Sequence, residues 1–352
     1  MSAPARLRAL DWLRGIAVLV MVECHVFNAL LAPEYRGLRW FSALNWLNGF
    51  VAPAFLFVSG AVMGTNLQKR WEQGTARLWR RVCQIFMVAY LLHLPTPLLW
   101  QFFGARGSRL IELWTKMDIL QCVAGSLSLI LLLVPITRMP RINRGICAAL
   151  GILAATSATV VANWAIGVSV PIWLLNYLWP TGVGKFPLVP WAAFPLIGVS
   201  LGPSIFSEVS VWQQTLRSAM AGVIFLVASR FMISSSAYDA PFVFERMGWI
   251  LLALGACCRL REAPPGTKWI LQFGELSLWS YTVHLIIVYG SCISLGLDTL
   301  LGARWSPLAV LSWLTLVLFV TAVVVRWRSK HPTPWHDLKE RVKLLASCAR
   351  HE

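Results

Sequence analysis

The sequence predicts an all-α, polytopic membrane protein: a bundle of about ten transmembrane helices with both termini cytoplasmic. Three observations predict it. Apolar types make up 57% of the 352 residues and charged types 13%, about half the charged share of a soluble domain. The mean hydropathy is +0.65. The apolar residues fall in long continuous runs rather than in strand-like alternation, which excludes an outer-membrane barrel. A soluble enzyme, a disordered chain and a collagen-like or coiled-coil rod are excluded by the same composition.

About 20 apolar residues cross a bilayer core as a helix. Ten stretches meet that length in order: 9–31, 46–66, 82–103, 119–136, 145–169, 184–202, 215–233, 244–260, 269–292 and 305–327. The first could imitate a leader peptide, with Arg6 and Arg8 ahead of it, but Asp11, Arg14 and Glu23 interrupt the apolar stretch such a leader needs. It is read as a retained first helix. The third carries His93 beside Leu94-Pro95-Thr96-Pro97, where prolines free backbone carbonyls. The ninth places Ser277, Tyr281 and His284 at i, i+4 and i+7, hence on one face. No internal repeat is visible. The expected organisation is one membrane domain over residues 1–327. A basic tail, 328–352, follows, with Trp335, Leu338, Val342 and Leu345 giving it an apolar side that suits the inner leaflet.

The formal charge of +16 resembles a nucleic-acid signature, but the basic residues are divided among loops. With the N-terminus inside, 22 of the 31 Lys and Arg residues fall on the cytoplasmic side and nine outside. That is the bias of a membrane protein. The eight cysteines show no C-x-x-C spacing and read as thiols packed like small hydrophobes, with Cys24 and Cys292 nearest an outer surface. No H-E-x-x-H pair, Cys/His cluster, glycine-rich phosphate loop or G-x-S-x-G elbow occurs, so neither a metal nor a serine nucleophile is expected. The tryptophans read as interfacial or packing residues.

The first helix carries the chemistry. Ionisable groups in a spanning helix are rare and each needs a reason. Arg14 and His25 lie about 20° apart around the helix and about 16 Å apart along it. Asp11 sits one turn before Arg14, Val18 and Met21 fill the stripe between, and Glu23 points the other way. An arginine near the cytoplasmic mouth can hold a phosphate or brace Asp11. An imidazole in the outer half can take a proton from an incoming hydroxyl. The plainer alternative is a helix-start ion pair and a polar contact to a neighbouring helix.

Asp11-Trp-Leu-Arg14-Gly15 followed by His25 resembles the signature of the integral membrane acyltransferases. These comprise the acyltransferase-3 family and its relatives around heparan-α-glucosaminide N-acetyltransferase. The spacing from Arg14 to His25 is that of the acyltransferase-3 family. Pro53-Ala-Phe-Leu-Phe-Val-Ser59-Gly60 is similar to the second-helix motif of both branches, and Arg77-Leu-Trp-Arg80 resembles the Arg-x-x-Arg element of the former. Asp118-Ile-Leu-Gln121, Phe186-Pro-Leu-Val-Pro190-Trp191 with Gly198, and Gly274-Glu-Leu-Ser277 through His284 resemble pieces of the heparan-type branch. The resemblance covers roughly residues 6–290. One departure stands out. The heparan-type enzymes carry a luminal His and an Asp shortly before the second-helix proline. The loop before Pro53 offers Asn45 and Asn48 instead.

The resemblance implies acyl transfer across the membrane, from cytoplasmic acyl-CoA (acetyl-CoA the first candidate) to a hydroxyl or amine of an extracytoplasmic sugar or glycan. His25 would be the general base or a transient acyl carrier, with His284 at a similar depth. Arg14 with Asp11 would position the base and cofactor, and Arg77 and Arg80 would bind the CoA phosphates. The plainer reading of the 66–81 loop, including Lys69, Arg70 and Arg81, is membrane topology. Three readings of the whole chain follow: an acyltransferase, a transporter or export partner for a lipid-linked glycan, and a scaffold. A transporter places its site at the midplane, whereas here the polar pairs are split between two depths. No N-x-S/T sequon occurs, and a bacterial inner membrane is the expected location.

Overall fold

A computed structural model describes residues 7–72, 75–94, 114, 116–137, 140–166, 172–178, 185–207, 209–233, 239–260, 264–291 and 294–331. The expected tail helix lies almost wholly outside them, as do the second half of the third expected span, Cys292 and Cys348.

The protein is an all-α, multi-pass membrane protein. Among the described residues its helices, in chain order, are α1 (Arg8–Leu30), α2 (Arg39–Asn48), α3 (Val51–Glu72), α4 (Ala76–Leu92), α5 (Ile119–Thr137), α6 (Pro140–Thr156), α7 (Ala158–Ile166) and α8 (Ile172–Leu178). They continue with α9 (Leu188–Trp191), α10 (Ala193–Ile205), α11 (Val211–Arg230), α12 (Ala240–Cys258), α13 (Lys268–Glu275), α14 (Ser277–Tyr289), α15 (Leu297–Leu301) and α16 (Pro307–Lys330). Five stretches are long and apolar enough to cross a membrane: Arg8–Leu30, Arg39–Leu67, Leu188–Ile205, Ala240–Cys258 and Pro307–Lys330. Ile119–Leu133, Asn143–Thr156 and Ser277–Tyr289 are shorter apolar helices at three further expected spans.

Among the described residues several expected spans are interrupted, the second at the α2–α3 junction and the sixth at Ala192 between α9 and α10. The fifth divides between α6 and α7 at Ser157, and the ninth divides at Leu276, which leaves helical geometry (φ −110°, ψ 36°). A short antiparallel ribbon, Gly290–Ser291 against Ser294–Leu295, closes the C-terminal end of α14. No alternating pattern marks it in the sequence, because two residues per strand are too few to show one.

α1 is the central post. It packs against α3, α12, α13, α14 and α16, and Leu10, Val18, Val22 and Val26 are fully buried. Membrane helices gain little from apolar burial against one another, since lipid is as apolar as leucine. Close backbone approach through small residues holds them instead. α3 and α10 cross in this way. A Cβ on Gly60 would stand 1.9 Å from the Pro195 carbonyl oxygen, and one on Gly198 would stand 2.4 Å from that of Phe57. Gly64 and Gly202 repeat the contact one turn on. The Ser59-Gly60 motif and Gly198 thus meet each other. α1 and α13 cross as tightly, with Gly15 on the Ile270 carbonyl and Gly274 on that of Asp11.

The outer helices present apolar side chains outward. Met220, Val223, Ile224 and Val227 on α11 and Leu308, Phe319 and Val323 on α16 are exposed. Cys122, Cys147, Cys257 and Cys258 are buried free thiols, but Cys83 is exposed on α4, so it does not pack as a small hydrophobe. α4 turns that side away from the Leu78, Val82, Ile85 and Ala89 face it buries.

Candidate active site

The stripe on α1 is turned into the bundle. Val18 and Met21 are buried, and α13 and α14 receive its two ends. At the N-terminal end Arg14 Nη1 donates to Asp11 Oδ1 at 3.5 Å and to the Gly274 carbonyl at 3.4 Å. The expected pair is present but long, and Arg14 is anchored to the last turn of α13. The break at Leu276 lets α13 meet this end of the stripe while α14 meets the other.

At the C-terminal end His25 and His284 come together. Their ring centroids lie 5.3 Å apart. His284 is fully buried. Its Nδ1 lies 2.7 Å from the Ser280 carbonyl oxygen, which can only accept, so Nδ1 carries the proton. The lone pair is therefore on Nε2, and that buried atom has no hydrogen-bond partner among the described residues. His25 Nδ1 shares a hydrogen bond of 3.1 Å with the Tyr289 hydroxyl, and that ring stands edge-on to the imidazole.

Three residues from distant segments complete the cluster. Asp118 precedes α5 and is the hub. Its Oδ1 accepts from the Ile119 N–H at 2.7 Å, and its Oδ2 accepts from the Tyr281 hydroxyl at 3.2 Å. His93, at the end of α4, places Nε2 3.2 Å from the same Oδ2. His93 Nδ1 meets the Ala89 carbonyl at 2.8 Å. That carbonyl contact is the plainer reading of His93, but the ring also reaches a carboxylate. With Nδ1 protonated, one further proton is held between Nε2 and Oδ2. The Tyr281 ring then stands edge-on to His284, centroids 5.7 Å apart. Of the face Ser277–Tyr281–His284, the second and third residues enter the cluster. Next to Asp118, the Met117 carbonyl accepts the Lys185 backbone N–H.

Glu23 points away from the stripe, as helical geometry requires, and faces Asn48. Neither carboxylate oxygen nor either amide atom completes a hydrogen bond of normal geometry. Arg246 lies at the α2–α3 turn, beside Gly49. Its guanidinium lies 4.1 Å from the Phe50 ring centroid and donates to the Trp46 carbonyl at 3.1 Å. Trp46 and Trp249 form an exposed rim beside it.

Arg77 and Arg80 do not join either cluster. Both are exposed in the first turns of α4, about 20–24 Å along that helix from His93 at 1.5 Å per residue. Side chains of Lys69 and Arg70 lie outside the described residues. Among the described residues no group of three or more His, Cys, Asp or Glu side chains could hold a metal ion.

The sequence pointed to His25, His284, Arg14 and Asp11. It did not point to Asp118 as the residue joining α4, α5 and α14, nor to Tyr289. The spacing signal for Asp118 was its place at the head of the Asp118-Ile-Leu-Gln121 motif. Nothing local marks Tyr289 as a partner of His25.

The chain matches, over residues 6–238, the family described as heparan-alpha-glucosaminide N-acetyltransferase, catalytic. None of the curated proteins compared with the chain matches it. The match begins just before α1 and takes in the Asp11–Arg14 pair, His25, His93 and Asp118. This polytopic membrane protein belongs to the heparan-alpha-glucosaminide N-acetyltransferase catalytic family.

Proposed function

We propose that the protein is a membrane-embedded acyltransferase. It moves an acyl group, acetyl first among candidates, from cytoplasmic acyl-CoA to a hydroxyl or amine of an extracytoplasmic glycan. Family membership supports an acyl-CoA-dependent reaction. The observation that carries the site is the buried Nε2 of His284 beside His25, which has no partner among the described residues. An uncharged imidazole with its proton fixed on Nδ1 is a general base awaiting a donor. In this reading ten spans and two cytoplasmic termini put the C-terminal end of α1 outside, in one domain over residues 1–327. The positive-inside bias of the loops supports that orientation. A bacterial inner membrane fits it.

The residues divide the work by depth. Arg77 and Arg80, exposed at the start of α4, take the CoA phosphates by charge-assisted hydrogen bonds. The arm of the cofactor follows the stripe from Arg14 to His25. Arg14, held by Asp11 and Gly274, keeps α1 and α13 aligned along that path. His25 and His284 remove the acceptor's proton as it attacks the thioester carbonyl. The acceptor meets the outer end of α1, where His284 Nε2 lies beside His25.

The test is vectorial transfer. Purified protein is reconstituted in liposomes with [14C]acetyl-CoA on one side and an oligosaccharide panel on the other. Label should appear on an enclosed sugar without free acetyl-CoA crossing. Movement of unmodified glycan, with no acetyl transfer, would make the protein a transporter.

A further inference from the structure

Gln121 is the one residue of the Asp118-Ile-Leu-Gln121 motif whose chemistry the preceding reading leaves unused. It lies in the first turn of α5 and is fully buried. Its Oε1 accepts the Asp118 backbone N–H at 3.3 Å. An N–H requires an acceptor, so this contact decides which end of the carboxamide is oxygen. Nε2 is then the other end, and it has no acceptor among the described residues. A cap on α5 needs only the oxygen. It gives no account of two buried N–H groups, whose burial unpaired is unfavourable.

The orphaned donor has a counterpart. His284 Nε2 is an equally buried acceptor without a donor among the described residues. The two residues are joined through Asp118, which bonds Gln121 by its N–H and Tyr281 by its carboxylate, with Tyr281 against His284. One cluster thus holds a fixed donor and a fixed acceptor that do not satisfy each other. A ligand that loses a proton while an oxygen becomes negative satisfies both.

We propose that Gln121 is the oxyanion donor for acyl transfer, with Asp118 the positioning residue that orients it and, through Tyr281, His284. The proposal rests on the acyltransferase reading above. In the step, the acceptor oxygen or nitrogen forms a bond to the thioester carbon and its proton passes to the imidazole. The carbonyl π pair moves onto oxygen and is held by the Gln121 N–H groups. Collapse restores the carbonyl and breaks the C–S bond, and the thiolate leaves with the proton returned by the imidazolium. No oxidant, metal or further reactant enters.

The test uses the full chain in detergent with [1-13C]acetyl-CoA. Isotope-edited infrared spectroscopy reads the bound thioester carbonyl, and steady-state kinetics read kcat and KM. Gln121→Glu keeps an oxygen for the Asp118 N–H and loses the donor, whereas Gln121→Leu loses both. The carbonyl band should lie lower in the wild type than in either variant. For Gln121→Glu kcat should fall about 10²- to 10³-fold, with KM for acetyl-CoA changed less than about threefold. An identical carbonyl band in wild type and Gln121→Glu overturns the proposal, as does an unchanged kcat. If the wild type binds acetyl-CoA but acylates no acceptor, the proposed function fails while the band still reads Gln121. If it binds no acetyl-CoA, both fall.

Discussion

The two ends of one face of α1 treat polar groups in opposite ways. At the N-terminal end the Arg14 guanidinium is met by the Asp11 carboxylate and the Gly274 carbonyl. At the C-terminal end His284 Nε2, beside His25, and Gln121 Nε2 are buried without partners among the described residues. Polar groups in a bilayer are expensive wherever they sit. An answered pair stabilises the bundle and holds two helices in register. A set of buried atoms left open stabilises nothing by itself, so its place in the fold is explained by what it binds. The contrast separates residues that resemble one another in the sequence. Arg14 and His25 belong to the same motif, yet one is tied to a helix end and the other faces chemistry.

Substitutions can break this contrast. Outside the imidazole pair and Gln121, the largest effect is expected at Asp118, where one carboxylate holds His93, Tyr281 and the head of α5. Asp118→Asn should lower kcat about 10- to 100-fold through misplacement of the catalytic groups. Binding of acetyl-CoA, read by calorimetry, should change little. Equal loss of binding and turnover would make Asp118 a general structural post. Asp11→Asn should show the opposite pattern. It weakens a part-buried charged pair, so stability in a denaturant series should drop by about 1–3 kcal/mol. The kcat of the folded fraction should stay within about threefold. A large kcat loss without a stability change would move Arg14 into the reaction. The smallest effect belongs to the exposed pair. Arg77→Ala with Arg80→Ala should raise KM for acyl-CoA about three- to tenfold, and added salt should erase the difference. A KM indifferent to both changes would return these residues to membrane topology.

Much of the fold was legible. Long apolar runs located every described helix that crosses or nearly crosses the membrane, because span length is set by bilayer thickness. The breaks at Leu276 and Ser157 were not legible. Leu276 and Ser157 carry no proline or glycine signal, and the turn at Leu276 follows from α13 and α14 docking on different parts of α1. The stripe Arg14–His25 and the similar depth of His284 came from counting along a helix, which needs no tertiary knowledge. The contacts among His93, Asp118 and Tyr281 could not be counted. They join segments 25 and 163 residues apart in sequence, and only the packing of α4, α5 and α14 sets them. The Asp118-Ile-Leu-Gln121 motif was visible as a motif, but its two side-chain roles appear only once Oε1 and Nε2 of Gln121 can be told apart.

The central claim is that the reacting proton is taken by the imidazole pair. The measurement is single-turnover transfer from acetyl-CoA to an accepted glycan by purified wild type, His25→Ala and His284→Ala, each shown to be folded and to bind acetyl-CoA. The account predicts a rate loss of about 10²- to 10⁴-fold in both variants. Wild-type rates in both would contradict it, and would place the base elsewhere in the bundle.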